Sequence, residues 1–112
     1  MADTVFGRIL SGEIPAPLLH SDEHCIAIAD INPAAPFHVL VIPRKALLNV
    51  GAAGVEDTAL LGHLQIVGAA LARKAGWEEF RMLTNSGAGA GQSVMHLHLH
   101  VLAGRSLKWP PG

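Results

Sequence analysis

Between Met95 and Leu102 the chain alternates imidazole and aliphatic side chains without a break, reading Met-His-Leu-His-Leu-His-Val-Leu. A period of two belongs to a β-strand, whose successive side chains point to opposite faces. The run therefore reads as a strand with His96, His98 and His100 on one face and Leu97, Leu99 and Val101 on the other. Such a strand needs an apolar layer on its aliphatic side. On its other side it presents three polar rings, each requiring a partner or a task, because a buried polar group left unmet costs about 1–3 kcal/mol.

The remaining segments supply elements to build around it. Val5, Phe6, Ile9 and Leu10 recur at helical spacing behind Asp3, a suitable cap, and before Gly12. Pro15 and Pro17 then bar any continuation. Leu18–Ser21 and His24–Ile31, split by Ser21, Asp22 and Glu23, predict a hairpin. Phe37–Ile42 predicts a strand stopped by Pro43. Val55–Ala75 predicts the long helix: Leu60, Leu64, Val67 and Leu71 share a face, Glu56 and Asp57 sit at its positive end, and Arg73 and Lys74 precede Gly76. Phe80–Thr84 and Met95–Leu102 complete about five strands, the last two joined by a small-residue loop from Asn85 to Ser93. Two helices and mostly hairpin-connected strands predict an α+β fold with an antiparallel sheet, in one domain spanning residues 1–112.

Charge and hydropathy narrow the partners. A formal net charge of −1, with no run of Lys or Arg, offers no basic field for long nucleic acid. The longest apolar stretch, Ile66–Ala72, is far shorter than the 18 or so residues of a membrane span. A lone cysteine, Cys25, excludes an internal disulfide and reads as a small buried packing residue, and the first residues lack the basic-then-apolar order of a secretion signal. The expected location is the cytoplasm. An apolar content of 50% hints at additional surface buried in an oligomer.

Two chemistries suit a row of histidines. Alternate imidazoles on a strand can share one zinc ion with a third ligand from His38 or an acid, although closed structural sites usually recruit cysteine pairs, and no Cys-x-x-Cys exists here. Alternatively, a neutral imidazole can act as a nucleophile while its second nitrogen is held by an acceptor. The preceding loop, Asn85-Ser86-Gly87-Ala88-Gly89-Ala90-Gly91-Gln92-Ser93, favours the second reading, because its glycines let backbone approach a ligand closely and its amides and hydroxyls suit oxyanions. It is neither a Rossmann nor a P-loop motif, since it enters a strand and lacks Gly-Lys-Ser/Thr. Asp30 ends a strand beside a proline turn, where it could cap the turn or accept hydrogen bonds from a sugar diol. His38 faces away from Phe37 and Val39, as either a core histidine or a site residue. His20, His24 and His63 have no supporting constellation and read as solvated.

The run His96-Leu97-His98-Leu99-His100-Val101-Leu102 resembles the signature of the histidine triad (HIT) superfamily. Gly91-Gln92-Ser93-Val94 before it, Ala103-Gly104-Arg105 after it and Trp109-Pro110-Pro111-Gly112 are similar to the histidine triad nucleotide-binding (Hint) branch, as are Phe6–Pro15, Asp30-Ile31-Asn32-Pro33 and His38–Pro43. The resemblance implies a HIT fold, in which the sheets of a homodimer join, and hydrolysis of a purine nucleoside phosphoramidate of the adenosine 5′-monophosphate type through a nucleotidyl-histidine, without a cofactor or catalytic metal. His98 corresponds to the nucleophile, His38 and His96 to its supports, and His100 to a phosphate contact. Asn85 and Ser93 would meet phosphate or leaving group, with Ser93 delivering a proton. Asp30 would bind ribose hydroxyls, Ile31 and Leu40 would flank the base, and Gly91, Gln92 and Val94 would offer backbone contacts. Trp109 would lie near a partner's site. Met95 stands where relatives often carry an aromatic, and the loop has Ser86 with Ala and Gly where others are acidic, which bears on leaving-group choice. A nucleotide-binding or scaffolding module without catalysis, and a zinc protein, are the competing readings.

Overall fold

The computed structural model describes residues 4–112. In chain order they form α1 (Val5–Leu10), β1 (His20–Ser21), β2 (Cys25–Ala29), β3 (Phe37–Pro43), α2 (Thr58–Lys74), β4 (Arg81–Leu83) and β5 (Leu99–Ala103), with short 3-10 turns at Val50–Ala52, Val55–Asp57 and Ala88–Ala90. The strands make one antiparallel sheet in the order β1-β2-β3-β5-β4. The α+β architecture expected from the sequence is the one observed.

Alternation divides the sheet into two unlike faces. Cys25, Ala27, Val39, Val41, Leu99 and Val101 point toward α2 and pack with its Leu64, Val67 and Ala72. Their neighbours Ile26, Ile28, Leu40 and Ile42 point the other way and pack with Phe6, Ile9 and Leu10 of α1. Contact on the α2 side is close. A Cβ built on Gly68 would stand 2.8 Å from Val101 Cγ2, so the absent side chain lets the helix sit down on the central strands.

Element ends depart from the sequence reading for local reasons. The Asp3 cap falls outside the described residues, and Thr4 caps α1, its Oγ1 accepting from the Gly7 N–H at 3.0 Å. The long helix begins at Thr58 and not at Val55. Asp57 Oδ2 accepts from the Gly54 N–H at 2.9 Å while its other oxygen takes the Lys45 ammonium, which tightens Val55–Asp57 into a 3-10 turn. Gly76, at a φ of +93°, ends the helix as expected of a glycine cap. The first hairpin strands shorten to His20–Ser21 and Cys25–Ala29, and β4 to Arg81–Leu83, whereas β3 runs one residue further, onto Pro43.

The largest correction concerns the histidine run. Regular pairing begins at Leu99, so of the three imidazoles only His100 lies within β5. Residues 95–98 continue the alternation but bond elsewhere: the Leu97 N–H donates to the Leu47 carbonyl at 2.8 Å, and the His98 carbonyl accepts from Thr84 Oγ1 at 2.8 Å. Leu97 nevertheless joins Leu99 and Val101 in the layer under α2.

Candidate active site

On the α1 face lies a cleft of about 330 Å³. Its floor comes from Ile28 and Leu40 of β2 and β3, one wall from Val5, Phe6 and Ile9 of α1, and another from Asp30, Ile31 and Asn32 after β2. Asn85, Gly91, Ser93 and Val94 of the glycine-rich loop close the remaining side, where His98 and His100 also stand. The cleft thus joins an apolar half, suited to a planar ring, to a polar half built from amide, hydroxyl and imidazole groups.

The backbone sets the protonation pattern of the imidazoles. His98 Nδ1 is 2.8 Å from the carbonyl oxygen of His96. A carbonyl can only accept, so Nδ1 carries the hydrogen and the lone pair is left on Nε2. The ring is only 7% exposed and is braced by an edge-to-face contact with Phe6 at 4.9 Å between centroids. A buried, clamped imidazole with a free nitrogen on a cleft is the arrangement a nucleophile requires.

A second chain of hydrogen bonds orients His100. The Ala34 N–H donates to His38 Nδ1 at 2.9 Å, so the neutral His38 ring carries its hydrogen on Nε2. That nitrogen lies 2.9 Å from His100 Nδ1 and 3.4 Å from Asp30 Oδ2. Donation to His100 leaves the latter's Nε2–H as its remaining donor. Burial, reinforced by His98 and His38, pushes the His100 pKa down to about 4, so the ring is neutral near pH 7 and offers one N–H. Asp30, besides facing His38, accepts from the Asn32 N–H through Oδ1 at 2.9 Å. Ligand atoms of Asp30, His38 and His100 lie within 4.8 Å of one another, close enough to share a cation, but His98 is not part of that group.

Several residues singled out in the sequence stand behind the cleft and do not line it. The His96 ring is buried, its Nε2–H donating to the Pro43 carbonyl at 2.9 Å, and among the described residues its Nδ1 has no partner. Burial, opposed by the Pro43 bond, holds its pKa below the ordinary imidazole value. What His96 gives the cleft is its backbone carbonyl. His38 is likewise buried behind His100. Gln92, 3% exposed, has its amide fully occupied: Nε2 donates to the Leu48 and Val94 carbonyls at 2.8 and 3.1 Å, and Oε1 accepts from Gly87 N–H and Asn49 Nδ2 at 2.8 and 3.1 Å. It fastens the loop and does not face the cleft. Trp109 is 81% exposed, away from the cleft of its own chain, on a segment held by Arg81 through the Leu107 and Lys108 carbonyls. Conversely, sequence reasoning missed Phe6 as the ring against His98 and Ala34 as the amide that sets the His38 tautomer. Phe6 appeared only as one apolar residue of a short helix, and a backbone amide leaves no mark in a sequence.

His20 and His63, expected to be solvated, are half-buried on the opposite face, both against Asp22. Only His24 keeps to a more exposed position, beside Glu23. Among the described residues no helix is long and apolar enough to cross a membrane.

Comparison with known proteins agrees with the architecture. The family model for the HIT domain matches residues 11–107. An uncharacterised HIT-like protein of Synechocystis sp. is 50% identical over 111 residues, covering 98% of this chain and 97% of that protein. A second, from Synechococcus elongatus, is 48% identical over the same shares. Among solved structures, a HIT family hydrolase from Legionella pneumophila superposes with a TM-score of 0.94 at 39% identity, covering 98% of this chain and all of that one. A histidine triad protein from Clostridium difficile superposes with a TM-score of 0.91 at 34% identity, covering 96% of each. With a triad whose central ring is clamped through Nδ1 above a cleft, and with the fold of a HIT family hydrolase, the chain belongs to the HIT family.

Proposed function

We propose that the protein hydrolyses purine nucleoside phosphoramidates, of the adenosine 5′-monophosphoramidate type, through a nucleotide covalently carried on His98. The observation that carries this reading is the Nδ1–H bond from His98 to the His96 carbonyl, which leaves an Nε2 lone pair on a ring that lines the cleft. In the first step His98 Nε2 bonds to phosphorus as the phosphorus–nitrogen bond to the amine breaks. The amine leaves with a proton that Ser93, an exposed residue lining the cleft, delivers. The imidazole gains positive character as it bonds, and the His96 carbonyl stabilises that charge through the same hydrogen bond. In the second step water attacks phosphorus, the nitrogen–phosphorus bond to His98 breaks, and nucleoside monophosphate departs. The neutral His100 N–H and the Ser93 and Val94 N–H groups stabilise phosphate oxygens, whereas the Gly91 and Gln92 N–H groups donate within the loop to the Ala88 and Gly87 carbonyls at 3.0 and 3.1 Å. Ile31 and Leu40 hold the base, and Asp30 accepts from the ribose hydroxyls.

We infer that the active form is a homodimer. The sheet ends at β4, where Leu83 is an apolar side chain left exposed, and Ile66 on α2 and Trp109 are exposed as well. A cytoplasmic protein acting on small nucleotides fits this reading.

The reading is tested by assaying release of nucleoside monophosphate and amine from an adenosine phosphoramidate. Wild-type protein turns over with chelator present, while His98→Ala loses about 10⁴-fold or more in kcat yet still binds nucleotide, since removing a nucleophile leaves the binding groups in place. Near-normal turnover by the variant overturns the mechanism, and activity that vanishes with chelator and returns with zinc, in wild type and in His63→Gln alike, favours metal chemistry in the cleft. Nucleotide binding with no turnover in the wild type favours a binding module.

A further inference from the structure

The face of the sheet opposite the cleft carries a second convergence of ligating groups. His20 on β1, Asp22 in the following turn and Cys25 at the start of β2 direct donor atoms to one place, and His63 on α2 meets that group at Asp22. His20 Nε2 and His63 Nε2 lie 2.6 and 2.8 Å from the same carboxylate oxygen, Asp22 Oδ2, and Cys25 Sγ lies 3.6 Å from it. The ligand atoms of His20, Asp22 and Cys25 all fall within 4.8 Å of one another. Strand pairing explains the gathering: His20 pairs with Ala27, and Ala27 and Cys25 both face α2, so the hairpin delivers its three groups to the side where His63 descends.

From this convergence we propose that His20, Asp22, Cys25 and His63 form a structural site for zinc, which ties α2 to the β1–β2 hairpin. Two imidazoles, a carboxylate and a thiolate are the donor types zinc takes in fourfold sites. Bonds of about 2.0–2.3 Å from a tetrahedral ion set ligand atoms roughly 3.3–3.7 Å apart, so the three hairpin groups shift slightly to admit it, and His63, which meets the group through Asp22 Oδ2, rotates inward to become the fourth ligand. The carboxylate is already oriented, because its other oxygen accepts the His24 and Cys25 N–H groups at 2.7 and 2.8 Å. Four protein ligands leave no open position, hence a structural and not a catalytic ion. On binding, each histidine turns its Nε2 lone pair to the metal and carries its hydrogen on Nδ1. Cys25 releases its proton to solvent. Without metal that thiol stays protonated, since burial and then the Asp22 charge push its pKa up to about 12. Arg44, the nearby cation, is engaged with the Asp22 carbonyl and Ser21 Oγ. The site departs from the metal-free expectation read from the sequence, and it does not depend on the chemistry of the cleft.

Chelator-treated full-length protein is titrated with cobalt(II) and then with zinc(II). The expected result is one equivalent bound, a sulfur-to-cobalt charge-transfer band, its displacement by zinc, and a rise in Tm with zinc. His20→Ala and His63→Gln, both at partly exposed positions, weaken binding about 100-fold or more, given that losing even an outer-shell partner of a metal costs 10–100-fold. Cys25→Ser abolishes the charge-transfer band, and His100→Ala leaves metal binding unchanged. Absence of a thiolate band in folded wild-type protein overturns the site. So does binding that survives in His63→Gln but is lost in His100→Ala, which would assign the metal to the Asp30, His38 and His100 group.

Discussion

A histidine can bond to phosphorus only through a nitrogen that keeps its lone pair, and at His98 the choice of nitrogen is made by the backbone of its neighbour two residues earlier. The same logic makes His100 a donor, through His38 and the Ala34 amide. Of these arrangements the sequence displayed the alternation and hence which rings could meet. It could not display tautomers, which depend on carbonyls and amides brought near by folding, nor that His96, expected on one face with His98 and His100 as a support, turns its ring to the Pro43 carbonyl. Burying neutral imidazoles has a measurable consequence. An unfolded histidine titrates near pH 6.5, whereas His100 in the fold titrates at about 4. Between those values the unfolded chain holds a proton that the folded chain lacks, so stability is complete above about pH 6.5 and is lost progressively as pH falls toward 4. For His100 the loss is on the order of 1–3 kcal/mol, and His96, shifted in the same direction, adds to it. Urea unfolding at pH 7.5 and pH 4.5 measures it: His100→Gln narrows the gap between the two pH values, and an unchanged gap contradicts the account.

Elements are where period, caps and tertiary bonds compete. The 3.6 and 2 periods were legible, giving both helices and the five strands in their right order. Strand extents were not, because pairing ends where a partner strand ends: the residues before Leu99 find Leu47 and Thr84 instead of a ladder. Gln92 illustrates the same limit. In the sequence it was one polar residue of a glycine-rich loop, and only folding brings Leu48, Asn49, Gly87 and Val94 around its amide. Gly68 offers the sharpest test at this scale. Alanine there improves helix propensity by about 1 kcal/mol, but its Cβ would meet Val101 Cγ2 at 2.8 Å and Met82 Cε at 3.1 Å. The methionine end can yield. The Val101 methyl, on a wholly buried and stiff β-branched residue, cannot, and overpacking of this kind costs about 1–3 kcal/mol. Gly68→Ala therefore comes out neutral to about 2 kcal/mol destabilised in chemical unfolding, and a clear gain in stability contradicts the close approach of α2.

At the scale of the whole molecule one sheet separates two tasks. Its α1 face carries the cleft, and its α2 face carries the larger apolar core and the Asp22 cluster. The alternation that made His98 and His100 face the cleft is what buries Leu97, Leu99 and Val101, so cleft and core draw on alternate residues of one segment. For the proposed homodimer, sedimentation equilibrium is expected to return twice the chain mass, and Leu83→Lys, at an exposed apolar position of β4, to shift it toward a monomer. A wild-type monomer at micromolar concentration contradicts the dimer. The central claim, that His98 carries the nucleotide, is tested most directly by mass spectrometry of protein acid-quenched during turnover of an adenosine phosphoramidate. The account predicts a single adenylyl group on the peptide that contains His98, absent from His98→Ala. Turnover with no adduct on any rapid time point, or with the adduct on another residue, contradicts it.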